Sequence, residues 1–247
     1  MKIEGSVVLV TGANGGIGQA LVRELLKRGA RKIYLGVRDP GTLRGVFVES
    51  DRLVPLALDL TRPQQIEQAA GLASDITLLV NNAGAVAFSG ALAAKDLNAA
   101  RQEMEVNYFG LLALTQALRN TPALRSGGAM VNVLSFLALV TLPVAGTYCA
   151  SKSAALALTR TLRAELKPRG VQVLGVLPAQ TDTPAFAPLP EPKSKPEQVA
   201  AATLDALEAG QNDEVFPGAL SQGAAEVFKK DPAALQARMS SIVHAID

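Results

Sequence analysis

Between Ser135 and Lys152 the chain reads SFLALVTLPVAGTYCASK. Tyr148 follows Ser135 by thirteen positions, and Lys152 stands four residues further on. At i and i+4 the phenol and the ammonium share one face of a helix. A phenol, with an ordinary pKa near ~10, is a poor acid or base at neutral pH. An ammonium close by stabilises the phenolate, lowers that pKa and suits the group to proton transfer. Ser135 can place a hydroxyl beside the tyrosine and hydrogen-bond a carbonyl or alcohol oxygen. Such a trio handles the proton of an alcohol–ketone interconversion, and the reaction then needs a hydride carrier.

The N-terminal stretch offers a place for one. Ser6 to Thr11 (SVVLVT) carries a continuous apolar run, as in a strand buried on both faces. It leads into GANGGIG, Gly12 to Gly18, and then into the helical pattern QALVRELLKRG, with Gly29 as the helix stop. Strand, glycine-rich turn and helix together make a phosphate cradle, in which backbone N–H groups and the helix dipole face a pyrophosphate. The glycines are spaced G-x-x-x-G-x-G, not the commoner G-x-G-x-x-G.

The elements that must position these residues alternate along the chain. Strands are predicted at Lys32 to Val37, Leu53 to Leu58, Ile76 to Val80, Ala129 to Ser135, Val171 to Leu177 and Glu214 to Phe216. Helices are predicted from Pro63, over Arg101 to Arg119 (carrying Asn107), Thr147 to Leu166, Pro196 to Ala209 and Ala219 to Ser240. This alternation predicts an α/β fold: a Rossmann-type doubly wound parallel sheet of about seven strands with helices on both faces. Residues 1–247 read as a single domain. Asn81-Asn82-Ala83-Gly84 is a turn just past the fourth strand. Thr183 to Pro196 holds prolines at 184, 188, 190, 192 and 196, so no regular element is expected there. It reads as a lid or binding loop of limited flexibility, with Phe186 and Leu189 as its apolar contacts.

Composition narrows the classes. Hydrophobic residues make up 49% of 247 residues and the formal net charge is +2, which argues against disorder. Lysines and arginines are scattered, so neither nucleic acid nor membrane is an expected partner. Cys149 is the sole cysteine, which rules out an intrachain disulfide and a thiolate metal cage. It stands about 100° round the helix from Tyr148 and reads as a packing residue. His244 is the sole histidine and reads as exposed, so neither a Ser-His-Asp triad nor a histidine metal cluster is expected. The apolar run near the N-terminus is too short for a signal peptide or a spanning helix, which predicts a soluble, cytoplasmic protein.

Taken together, TGANGGIG at 11–18, NNAG at 81–84, Asn107, Ser135, YCASK at 148–152 and PAQTDT at 178–183 resemble the short-chain dehydrogenase/reductase family, in its compact single-domain branch. The match runs from about Val7 to Thr183. The larger branch typically has one residue fewer between the first two glycines. The resemblance implies that Tyr148 is the acid/base, that Lys152 lowers its pKa and holds the nicotinamide ribose, and that Ser135 orients the substrate. It implies that Asn107 holds a water of the proton relay. Gly12, Asn14, Gly16, Ile17 and Gly18 match the family's pyrophosphate turn, and Asp59 and Leu60 its adenine contact. Asn81, Ala83 and Gly84 match the cofactor floor, and Pro178, Thr181 and Thr183 the segment that fixes the carboxamide. The last segment reads PA where the family usually has PG, so Ala179 narrows the backbone freedom there.

The activity so implied is a ketone or aldehyde reductase, or alcohol dehydrogenase, acting on a small-molecule carbonyl or alcohol; the short proline-rich lid with Phe186 and Leu189 points to an open, apolar pocket for hydrophobic or bulky compounds. A dehydratase or isomerase on the same fold and a non-catalytic cofactor-binding regulator are the alternatives. An intact Ser135, Tyr148 and Lys152 speak against the regulator. NADP(H) is expected over NAD(H). Apolar Val37 stands where related NAD enzymes often have Asp, and the Arg38 guanidinium suits a 2′-phosphate. Asp39 could draw Arg38 away or pair with it. Gly15 stands where NADP-preferring relatives often carry Arg or Lys, which leaves Arg38 most of the discrimination. A homo-oligomer, dimer or tetramer, is expected, because Asn107 to Leu118 and Thr147 to Leu162 are apolar or small on most of their surfaces.

Overall fold

Strand β1 (Val7–Thr11) is buried at every position, as a central strand of a covered parallel sheet must be. The computed structural model describes residues 1–88, 90–92, 94–187 and 190–242. After β1 come β2 (Lys32–Val37), β3 (Leu53–Ala57), β4 (Leu78–Asn81), β5 (Ala129–Val133), β6 (Gln172–Val176) and β7 (Glu214–Val215). All pair in parallel, in the order β3-β2-β1-β4-β5-β6-β7. The order reverses between β1 and β4, which opens a crevice at the carboxyl ends of those two strands.

The helices are α1 (Gly16–Lys27), α2 (Pro63–Leu72), α3 (Asn98–Met104), α4 (Leu111–Ala117), α5 (Pro122–Arg125), α6 (Gly146–Leu166), α7 (Pro196–Glu208), α8 (Gly218–Lys230) and α9 (Pro232–Ser240). Alternation along β1 divides the core. Val8 and Val10 join Leu21, Leu25, Val199 and Leu204 from α1 and α7. Val7 and Leu9 join Ile66, Leu114 and Leu162 from α2, α4 and α6 on the other face. The expected doubly wound sheet of seven parallel strands is the observed fold. Of the described residues, none belongs to a helix long and apolar enough to cross a membrane.

Three expectations are corrected. The single helix expected over Arg101 to Arg119 is instead α3, a π-helical turn at Glu105–Gly110, and α4. The turn carries the chain close over the β3–α2 loop: a Cβ on Gly110 would stand 2.7 Å from Leu60 Cβ and 3.0 Å from its carbonyl oxygen. The helical region expected over Ala219 to Ser240 is two helices. Pro232 lacks the N–H that would continue α8, and the Asp231 carboxylate caps α9 by accepting from Ala234 N–H at 2.9 Å. Within 183–196, residues Pro184–Phe186 form a 3-10 turn where no regular element was expected. The ends of that loop are tied together, Asp182 N–H to Ser194 O at 2.8 Å and Ser194 N–H to Gln180 O at 2.9 Å. Leu189 and His244 lie outside the described residues.

Candidate active site

The glycine turn opens on Gly12, whose φ of +63 is left-handed. Gly18 lies so close beneath it that a Cβ there would run into the Gly12 carbonyl oxygen, and one on Gly16 would come within 2.7 Å of Thr183 Cγ2. The backbone is therefore laid bare at the start of α1, where N–H groups and the helix dipole suit a pyrophosphate. Two polar side chains hold the turn against the end of β4. Thr11 Oγ1 accepts from Asn82 N–H at 2.9 Å and Ala83 N–H at 3.0 Å, while Asn82 Nδ2 donates to Thr11 O at 2.9 Å. Thr11 was not singled out from the sequence; the asparagines of NNAG were read as turn residues whose side chains satisfy backbone groups, and Asn82 does so.

A cleft of about 840 Å³ runs from this turn to the catalytic candidates. Its lining includes every cofactor residue expected from the sequence except Asn81, and every catalytic candidate except Asn107. Asn81 is a correction: it is turned into the sheet, its Nδ2 donating to Asn132 Oδ1 at 2.8 Å, and Asn132 in turn donates to Thr159 Oγ1 at 2.9 Å. Asn81, the last residue of β4, thus spends its amide N–H across the sheet, while Asn82, one residue later, faces the turn. Arg38 is exposed at the cleft margin and, among the described residues, forms no ion pair. Asp39 does not hold it: the Asp39 carboxylate accepts from Gly41 N–H at 2.8 Å and caps the turn that follows β2.

Ser135, just beyond β5, meets Tyr148 and Lys152 from the first turns of α6, and all three are nearly buried. Lys152 Nζ donates to Val133 O at 3.2 Å and stands 5.8 Å from the centre of the Tyr148 ring. Burial is the strongest influence on the phenol and holds it well above its ordinary value; the Ser135 hydroxyl acts in the opposite sense. The expected lowering by Lys152 is thus not what the protein alone provides. Desolvation penalises both charged forms, and it pushes Lys152 down to about 8.

Asn107 lies behind Gly84. Its Oδ1 accepts from Ala85 N–H at 2.8 Å, and its Nδ2 donates to Ala85 O at 2.9 Å and to Ser151 Oγ at 2.8 Å. A Cβ on Gly84 would meet Asn107 Oδ1 and Lys152 Nζ at 3.3 Å each, so the glycine leaves those groups room to share a small polar molecule. Glu103, one turn earlier, is buried, and its Oε1 accepts from Ala87 N–H at 2.9 Å. Ser151 and Glu103 were not anticipated; their only signal was helical spacing, Ser151 three residues after Tyr148 and Glu103 four before Asn107. Cys149 is buried as expected of a packing residue, its Sγ accepting from Leu142 N–H at 3.3 Å. Among the described residues no cluster of three histidine, cysteine or carboxylate side chains could hold a metal ion.

The arrangement brings a phenol, an ammonium and a hydroxyl to a cleft that begins at a glycine turn suited to a pyrophosphate. A family model described as short chain dehydrogenase matches residues 6–194. A short chain dehydrogenase from Burkholderia cenocepacia J2315, solved in complex with NADP, is 48% identical, with a TM-score of 0.90 over 97% of this chain and 99% of that one. Short-chain dehydrogenase PC-15 of Penicillium crustosum is 38% identical, over 74% of this chain and 69% of its own length. Short-chain dehydrogenase/reductase 3 of Homo sapiens is 34% identical, over 83% of this chain and 72% of its own length.

Proposed function

The chain belongs to the short-chain dehydrogenase/reductase family of NAD(P)-dependent oxidoreductases, and on that premise we propose that it is an NADP(H)-dependent carbonyl reductase that also runs as an alcohol dehydrogenase. The observation that carries this reading is the convergence of Ser135, Tyr148 and Lys152 on the cleft that begins at the glycine turn. When bound, a nicotinamide cofactor gives or takes the hydride. Tyr148 gives its phenolic proton to the carbonyl oxygen in reduction and takes it back in oxidation. Ser135 donates a hydrogen bond to the same oxygen. Lys152 holds the ribose and supports the phenolate, and Asn107 holds a relay water. Gly12, Asn14, Gly16, Ile17 and Gly18 hold the pyrophosphate, Asp59 and Leu60 the adenine, Ala83 and Gly84 the floor, and Pro178, Thr181 and Thr183 the carboxamide.

Two observations support NADP(H): Arg38 stands at the cleft margin with no ion pair within 4 Å among the described residues, its charge acting on Asp59 only at longer range, and the Burkholderia relative carries NADP. Its fork suits a phosphate dianion better than a hydroxyl. The substrate is a hydrophobic carbonyl compound, since apolar Val86 and Phe186 line the cleft beside Tyr148 and belong to the apolar cluster packed about it. Loop 183–196, which carries Phe186, acts as its lid. The chain assembles as a homo-oligomer through the outer faces of α3 to α4 and α6.

The test follows nicotinamide absorbance with NADPH and with NADH against a panel of apolar ketones, aldehydes and alcohols. Turnover is expected with NADPH in preference to NADH; no turnover of any of them with either cofactor would sink the reductase reading.

A further inference from the structure

The helical face that enters the site presents two buried polar side chains one turn apart, Glu103 and Asn107, to the segment after the NNAG turn. Asn107 takes both backbone groups of Ala85, and Glu103 takes Ala87 N–H. Three backbone groups of a short loop are thus held by two side chains. The next residue is Phe88, whose φ of +44 is left-handed. A bulky residue holds that conformation only where its surroundings impose it.

The consequence is a chain of rings. Phe88 meets Phe186 edge to face, centres 5.3 Å apart at 88°, and Phe186 meets Tyr148 at 6.3 Å and 69°. One ring comes from the clamped loop, one from the 3-10 turn Pro184–Phe186, and the third is the catalytic phenol. Burying a carboxylate is costly. Glu103 is 1% exposed, and its Oε2 has no partner among the described residues. A residue there for packing alone would be aliphatic; the acceptor for Ala87 N–H is what the carboxylate adds.

We propose that the Phe88–Phe186 pair, held in place by Glu103 as a positioning residue, selects carbonyl substrates that carry a flat apolar ring next to the reacting carbon. The inference rests on the reductase reading of the same site. Aromatic rings prefer edge-to-face or offset contacts, so a substrate ring laid against Phe186, which lines the cleft and which Phe88 holds edge-on, gains contacts that a linear chain cannot reproduce.

The experiment compares an aryl methyl ketone with a linear ketone of equal carbon count, with NADPH, in the wild type, Phe88→Ala, Glu103→Ala and Glu103→Gln. The wild type is expected to prefer the aryl ketone in kcat/KM by about tenfold or more. Phe88→Ala and Glu103→Ala are expected to bring that ratio toward one, mainly by raising KM for the aryl ketone. Glu103→Gln keeps an amide oxygen for Ala87 N–H and is expected to restore most of the preference. An absent preference in the wild type, a preference retained in Phe88→Ala, or a Glu103→Gln variant as impaired as Glu103→Ala would each overturn the proposal. Cofactor binding reports folding of each variant; if Glu103→Ala does not fold, Phe88→Ala and Glu103→Gln decide. If the wild type reduces neither ketone, the wider panel with both cofactors decides the reductase reading, and calorimetric binding of the aryl alcohol tests the ring contact on its own. Binding about tenfold tighter to the wild type than to Phe88→Ala supports the contact, and equal binding overturns it.

Discussion

Tyr148 and Lys152 share a problem of burial, and it sets how each should respond to substitution. Tyr148→Phe keeps the ring against Phe186 but removes the proposed proton donor, so turnover should fall by at least ~10²-fold while cofactor binding survives. Wild-type turnover in that variant would contradict the mechanism. Lys152 has an ordinary value of 10.5 and is pushed down to about 8 by desolvation. The unfolded chain therefore binds the proton more tightly, the charged side chain costs folding energy below about pH 8, and stability recovers as pH rises from about 8 toward 10.5. Lys152→Met should stabilise the fold by up to ~3 kcal/mol at pH 7, with the gain shrinking by pH 10, while activity is lost. Urea unfolding at the two pH values measures this; an equal or growing gain at high pH would refute it. At the cleft margin, Arg38→Ala should cut the ratio of catalytic efficiencies with NADPH and NADH by about one to two decades, the worth of a charged hydrogen bond. An unchanged ratio would remove Arg38 from cofactor choice.

Elements carry different constraints. The π turn brings Gly110 against Leu60, and part of what it would meet is backbone. Gly110→Ala should therefore destabilise the protein by about 1–3 kcal/mol instead of helping as alanine usually does inside a helix. A urea midpoint equal to wild type would show that the contact yields. Nothing in the sequence marks this turn, because six residues of altered pitch are lost within the apolar pattern of Arg101 to Arg119. The break at Asp231-Pro232 was visible, since aspartate before proline is both a cap and a stop, but the apolar pattern runs through it. Strands were placed well because a parallel sheet buried on both faces leaves nearly continuous apolar runs.

For the whole molecule, the outer faces of α6 and of α3 to α4 remain to be explained. Ala150, Ala157 and Thr161 are exposed along α6, and Phe109 is 49% exposed beside it in the chain's helical layer. Small residues allow close helix approach, and an exposed aromatic marks a surface with more apolar area than a lone chain needs. Sedimentation at micromolar concentration should give a homo-oligomer, dimer or tetramer, and Phe109→Glu should shift it at least tenfold in concentration toward the monomer. A wild type that sediments only as a monomer would reject the assembly.

The sequence by itself determined what depends on neighbours along the chain: a glycine turn between a buried strand and a helix, a phenol and an ammonium one helical turn apart, and the alternation that makes a parallel sheet. These are legible because bond geometry alone sets which nearby residues share a face. Only the tertiary structure decided that Asn81 faces Asn132, 51 residues away, and not the cleft, that Asn107 bonds Ser151 across 44 residues, and that Glu103 holds Ala87. It also decided that burial, more than the adjacent ammonium, governs Tyr148. Spacing says which side chains can meet; how far each is withdrawn from water, and which remote backbone group it finds there, is set by how the sheet and its helices close around it.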